Sequence, residues 1–157
     1  MQEFTPCLWF DTEGEEAATF YVSVFPNSRI TEISRYGEAG PREAGTVMTV
    51  AFELNGQPFV ALNGGPEFTF SEAISFQVPC ESQDEVDRYW NALSESGEEG
   101  PCGWLKDRFG LSWQVVPTAL FELLRDPDRA KAQRVMEAML AMKKIEIADL
   151  ERAAAAA

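Results

Sequence analysis

The stretch TPCLWFDTEGEEAATFYVSVF (residues 5–25) and its echo AISFQVPCESQDEVDRYWNAL (73–93) decide how the chain is read. In the first, Leu8 and Phe10 alternate with Cys7, Trp9 and Asp11, the period of a strand. Thr12 then opens a capping box with Glu15, a pattern that satisfies orphan amides at a helix start. Ala17, Phe20, Tyr21, Val24 and Phe25 follow at helical spacing, and Pro26-Asn27 ends the helix. In the second stretch, residues 73–80 read as a strand and Ser82 with Glu85 as another capping box. Val86, Tyr89, Trp90 and Leu93 form its helical stripe, stopped by Gly97. Phe20-Tyr21 and Tyr89-Trp90 lie 69 residues apart, as do Val24 and Leu93, and Glu15 and Glu85 lie 70 apart. A period this long marks a duplicated module rather than a solenoid repeat.

Working outward, 29–36 (RITEISRY), 46–54 (TVMTVAFEL) and 57–63 (QPFVALN) read as strands. Asn55-Gly56 is the two-residue hairpin signal between the last two. A Gly/Pro/charge loop fills 37–45, and Gly64-Gly65-Pro66 breaks the chain. In the second half the acidic stretch ESGEEGP reads as a solvated loop. It leads to strands at 102–107 (CGWLKD) and 111–116 (LSWQVV), joined by a turn at Arg108-Phe109-Gly110. From Thr118, expected to cap ALFELL, the chain turns helical. Asp126-Pro127 reads as an N-cap with proline at the first helical position. Val135, Met136, Met139, Leu140 and Met142 form the next stripe, better explained as helix core or dimer interface than as a binding surface. IEIADLERA makes a last segment, and the low-complexity run Ala153–Ala157 reads as a frayed end or as non-native sequence. The boundaries are 1–66 for the first module, 67–117 for a shortened second module and 118–157 for a helical extension, one structural domain overall.

Composition narrows the function. The 157 residues carry 26 acidic and 13 basic side chains, a formal charge of −13, and no histidine. A pI near 4.4 argues against nucleic-acid or anionic-membrane partners. Without imidazole, Ser-His-Asp, Cys-His and His-ligated metal chemistry are closed. Cys7, Cys80 and Cys102 are widely spaced and suggest neither a disulfide framework nor a zinc knuckle. The opening MQEFTPCLWF has no basic n-region and no apolar h-region, and no apolar run reaches the roughly 20 residues of a membrane span. The expectation is a reduced, cytoplasmic protein.

Strand alternation assigns faces. Leu8 and Phe10, Met48 with Val50 and Phe52, and Ile74 with Phe76 and Val78 are expected under the helices. The opposite wall takes Cys7 and Trp9, Thr49 with Ala51 and Glu53, Ala61 and Asn63, Ser75 and Gln77, and Ser112 with Gln114. This mixture of apolar, amide and hydroxyl groups suits a small-molecule pocket. The candidate ligand-binding residues are therefore Trp9, Asn63, Ser75, Gln77, Trp104 and Gln114, the tryptophans as stacking platforms. Trp113 faces a helix by parity. Glu53, inward on its strand, is the candidate general base, although beside the hairpin it also reaches water. Lys106 and Asp107 read as a turn-flanking ion pair, and Cys7 as a buried, inert thiol.

The segments CLWFD (7–11), EEAATFY (15–21), FPNS (25–28), LNGGP (62–66), AISFQV (73–78), EVDRYWNALSESG (85–97), CGWLKDRFGLSWQVVP (102–117) and MKKIEIADLERA (142–153) resemble the vicinal oxygen chelate superfamily of glyoxalases, bleomycin-resistance proteins and ring-cleaving dioxygenases. The closer resemblance is to its PhnB-like branch. It implies an α+β fold: two βαβββ modules forming a glyoxalase-like cup, plus C-terminal helices, usually as a homodimer. In metal-using members the ligands lie on the first and last strands of each module. Those positions here hold Cys7, Ala61 or Asn63, Ala73 or Ser75, and Gln114. A thiol, amides and a hydroxyl suit a hard divalent ion poorly, so no metal ligands and no cofactor are assigned, and a divalent metal is disfavoured. The branch is often labelled 3-demethylubiquinone-9 3-methyltransferase. A dinucleotide-type cofactor loop needs a glycine-rich strand-to-helix turn, and Asp11-Thr12-Glu13-Gly14 has one glycine. The expected function is small-molecule binding without a tightly held metal. The alternatives are a superfamily enzyme, metal-assisted or using Glu53 for proton transfer, and a drug-sequestering resistance protein.

Overall fold

The computed structural model describes residues 3–156, which divide into two units that part between Phe70 and Ser71. In the first, β1 (Cys7–Phe10), α1 (Gly14–Val24), β2 (Arg29–Arg35), β3 (Val47–Leu54) and β4 (Gln57–Asn63) form a mixed sheet of order β1-β4-β3-β2. In the second, β5 (Ser75–Cys80), α2 (Gln83–Ser94), β6 (Glu98–Glu99), β7 (Trp104–Lys106) and β8 (Ser112–Pro117) repeat the plan in order β5-β8-β7-β6. The helices α3 (Thr118–Leu124), α4 (Arg129–Leu140) and α5 (Ile147–Ala155) follow. The duplicated βαβββ module and its helical extension are present, an α+β fold.

The hairpin forms as its sequence requires. Asn55 and Gly56 take φ of 48° and 81°, the positive values of a type I′ turn. A two-residue turn pairs Leu54 with Gln57, and counting outward sets Phe52 opposite Phe59 and Val50 opposite Ala61. The parallel ladder then places Leu8 beside Ala61 and Phe10 beside Asn63. Ala61 and Asn63 therefore lie on the helix-covered face, and Val60 and Leu62 replace them on the open one. This corrects the expected wall of β4. Leu8, Phe10, Val50, Phe52 and Tyr21 are buried together as expected, with the Tyr21 and Phe52 rings stacked at 6.3 Å.

The two helix starts differ. Ser82 Oγ accepts from Glu85 N at 3.2 Å, as the second box requires, and the Glu85 carboxylate reaches back to Glu81 N at 2.8 Å, one residue before the cap. The first does not: Thr12 makes no cap, and the Asn63 carboxamide accepts from Gly14 N at 2.7 Å instead. A Cβ on Gly14 would sit 2.6 Å from that oxygen, which is why glycine opens this helix. Thr118 likewise makes no side-chain cap, and α4 is capped by Asp128, two residues beyond the expected Asp126.

In the second unit α2 buries Val86, Tyr89, Trp90 and Leu93 against the face that carries Val78, Leu105, Trp113 and Val115. Ile74 precedes β5 and is 69% exposed rather than packed. The acidic stretch expected as loop holds the edge strand β6, with Glu98 opposite Lys106. The extension packs Leu120, Val135, Ile145, Leu150 and Ala154 into a core with Val116 of β8, joined by Met139 and Met142. The alanine run is helical through Ala155, not frayed, because Arg134 donates to the carbonyls of Ala153 and Ala154 at 3.0 Å each; Ala157 lies outside the described residues.

Candidate ligand-binding site

The register of the second sheet collects most of the candidates. Ser75 pairs with Ser112, Gln77 with Gln114, Trp104 with Gln114 and Lys106 with Ser112. All six side chains leave the face opposite α2. Gln114 Nε2 donates to Ser75 Oγ at 2.8 Å, and Gln77 Nε2 reaches Gln114 Oε1 at 3.5 Å. Gln77 keeps its carbonyl oxygen free of these contacts, and Trp104 stands next in the row. A cleft of about 380 Å³ opens beside it, lined by Glu72, Glu98, Trp104, Lys106 and Ser112 among others.

Lys106 and Asp107 are not a pair. They sit on opposite faces, as consecutive strand residues must. Lys106 Nζ meets the Glu72 carboxylate and lies 3.9 Å from Glu98 Oε2. The Glu72 contact raises the lysine ammonium above its ordinary range and holds the Glu72 carboxyl below its own. Asp107 is buried instead, accepting from Phe109 N at 2.9 Å, Leu111 N at 3.1 Å and the Trp113 indole N–H at 2.9 Å. It builds the turn and fixes Trp113 under α2. Ser112 was legible as a wall residue; Lys106 sits two residues from Trp104, so parity was the signal that would have added it. The approach of Glu72 had no sequence signal.

The first sheet carries the remaining candidates on separate faces. Trp9 is on the open face, where its indole N–H donates to Gly65 O at 2.9 Å and Phe68 packs edge-on at 5.0 Å. A Cβ at Gly64 would collide with that indole, so glycine there admits the ring. Glu53 shares the face but stands at the hairpin end, paired with Arg29 at 3.1 Å. Asn63 is on the other face with its amide fully engaged: Gly14 N donates to Oδ1, and Nδ2 donates to Val47 O at 3.2 Å. Tyr36 Oη adds a bond to its main-chain carbonyl at 2.6 Å. A cavity of about 410 Å³ lies near α1, but its Arg42 already faces Asp11 at 3.6 Å. Cys7 is exposed rather than buried, and partial desolvation raises its thiol above the ordinary value, so it is no ready nucleophile.

Two mixed four-stranded sheets, each built as βαβββ with a helix on one face, define a protein of the vicinal oxygen chelate fold class. The family described as 3-demethylubiquinone-9 3-methyltransferase matches residues 2–116, and the chain belongs to it, within the PhnB-like branch. It is similar to the PhnB protein of Bacillus cereus at 38% identity and a TM-score of 0.67, a match covering 74% of this chain and 100% of that one. A Pseudomonas aeruginosa protein matches at 21% identity and TM-score 0.62, covering 74% and 98%. The fosfomycin resistance protein FosX of Listeria monocytogenes matches at 13% identity and TM-score 0.56, covering 79% and 97%. These last two show the fold alone. No curated protein matches the chain.

The residues at the family's metal positions do not fit a shared ion. Cys7 and Asn63 project from opposite faces of one sheet, and Ser75 and Gln114 are neutral and bonded to each other. Among the described residues no three His, Cys, Asp or Glu side chains are grouped to hold a metal. The methyltransferase name finds no cofactor loop either, because the one glycine amide at the strand-to-helix turn is already donated to Asn63. No helix among the described residues is long and apolar enough to cross a membrane.

Proposed function

We propose that the chain binds a small molecule on the open face of its second sheet, through Ser75, Gln77, Trp104 and Gln114. The observation that carries this reading is the hydrogen-bonded set Gln77–Gln114–Ser75, with Trp104 opposite Gln114 in the register and lining a cleft of about 380 Å³. Side chains already bonded to one another, Gln114 to Ser75 above all, are partly ordered before a ligand arrives, which lowers the cost of ordering them. Trp9 is the corresponding aromatic surface of the first unit. Asn63 and Glu53 are left out of the ligand set, since one caps α1 and the other is engaged by Arg29. With Glu53 so engaged and no fitting metal set, binding is favoured over turnover.

The protein works in the cytoplasm as a homodimer on this reading, supported by three free cysteines and by the large exposed side chains Phe4, Phe68, Ile74 and Leu140. The test is an NMR screen of neutral planar fragments against labelled protein. Binding should move the Trp104 indole N–H and the Gln77 and Gln114 side-chain amides together. Shifts confined to other surfaces would sink the assignment.

A further inference from the structure

One hydroxyl in the cleft is unaccounted for. Ser112 is 1% exposed, lines the cleft, and its Oγ bonds no protein group among the described residues. Its neighbours on the same face are engaged with one another: Ser75 accepts from Gln114, and Gln77 donates to Gln114. An unpaired buried hydroxyl lowers stability, and alanine would remove that cost at nearly the same volume. Such a group is accounted for when its partner comes from outside the chain.

The surrounding charge says what that partner is. The cleft is lined by three carboxylates, Glu72, Glu98 and Glu99, against the single ammonium of Lys106. Lys106 is taken by Glu72, and Glu99 accepts from the Trp90 indole N–H at 3.1 Å. Glu98 is a looser ion-pair partner of Lys106, 3.9 Å away and beyond hydrogen-bond length, so its oxygens can still accept from a donor. An incoming anion meets excess negative charge. A cation meets the Glu98 carboxylate and an indole face, beside the buried Ser112 hydroxyl.

We infer that this cleft is built for an organic ammonium, which donates to the Ser112 hydroxyl and to Glu98 while its carbon frame lies against Trp104. The inference rests on the reading that the open face of the second sheet binds a small molecule, and it adds the ligand's charge and the atoms that recognise it. Lys106 then acts as a competitor: its ammonium holds the Glu72 carboxylate and, 3.9 Å from Glu98, opposes a second cation there.

The test titrates the whole protein at neutral pH and low salt with phenethylamine, phenethyl alcohol and phenylacetate, following the Trp104 indole N–H by NMR. The amine should bind about tenfold tighter than the alcohol, the size of one charge-assisted hydrogen bond. Phenylacetate should bind most weakly, and added salt should narrow the gap. Ser112→Ala should melt no lower than the parent yet bind the amine about tenfold more weakly. The exposed substitution Glu98→Gln should weaken the amine and spare the alcohol, and Lys106→Met should tighten the amine. Equal affinities, a preference for phenylacetate, or no effect of Ser112→Ala on amine binding overturns the ammonium assignment. So does a lower melting temperature in Ser112→Ala, which would mean a structural partner for the hydroxyl. Shifts still centred on Trp104, Gln77 and Gln114 would leave the binding face standing; shifts elsewhere would overturn both. Failure of all three probes to bind overturns the ammonium inference, and the neutral-fragment screen then decides the face by itself.

Discussion

Asn63 and Asp107 are buried polar residues, 6% and 3% exposed, and each satisfies backbone N–H groups, Asn63 from 49 residues away and Asp107 within its own turn. Asn63→Ala strands Gly14 N and Val47 O, the two partners of its amide. The expected loss is about 1–3 kcal/mol for each group left unpaired, read by urea unfolding. The same variant should leave fragment binding at Trp104 unchanged, because its role is to start α1. Asp107→Asn offers one carbonyl oxygen where two carboxylate oxygens took three N–H groups, and its NH₂ must face a donor. It should destabilise by about 1–3 kcal/mol and shift the Trp113 indole N–H resonance. A neutral result at Asp107 would mean that the turn is held by its backbone bond from Gly110 N to Asp107 O at 2.9 Å.

At the scale of elements, the helical extension is tied to α2 by one side chain and one ion pair. Gln83 Nε2 donates to Ile145 O at 3.1 Å, and its Oε1 accepts from Ile147 N at 2.8 Å, the first amide of α5. Gln83→Ala should accelerate hydrogen exchange at Ile147 while leaving the amides of β8 protected. Lys144 meets Asp87 at 2.7 Å and Glu146 at 3.1 Å. The Lys144 contact, helped by Gln83, holds the Asp87 carboxyl below its ordinary value, and Asp87 in turn raises the Lys144 ammonium. The aspartate's contribution is therefore present above the usual carboxylate range, about pH 4, and is lost as pH falls through its lower folded value. The lysine's is present below about pH 10.4 and is lost as pH rises through its higher folded value. The stability difference between the parent and Lys144→Met should thus persist across neutral pH and shrink in acid. Urea unfolding at a series of pH values measures it; a difference that stays constant into strong acid would remove the ion pair from the account.

For the molecule as a whole, a formal charge of −13 sets the terms of association. Two copies repel at low ionic strength, and salt screens that repulsion. Sedimentation at micromolar concentration should show a species of twice 17.5 kDa whose association strengthens with salt. A monomer at every salt concentration would sink the dimer. The same charge draws cations to the protein from a distance, so the ammonium preference of the cleft and the global field act in one direction.

The fold was legible because its signals are local. Alternation marked the strands, Asn55-Gly56 set the hairpin, and the stripe Val86, Tyr89, Trp90, Leu93 is the buried face of α2. The face of β4 was also legible in principle, since a two-residue turn fixes which residues lie opposite one another. Ser75, Gln77, Trp104 and Gln114 share a face because strand period and register agree. What the sequence determined by itself was thus the duplicated module, its element order and most of its strand faces. Tertiary structure alone decided that Asn63, 49 residues from Gly14, caps α1 in place of Thr12. It alone brought Glu72 to Lys106, and left the Ser112 hydroxyl buried with no partner among the described residues. The physical reason is range: periodicity and turn chemistry act between neighbours in the chain, whereas a polar atom's partner depends on which distant backbone or side chain the folded sheet brings beside it.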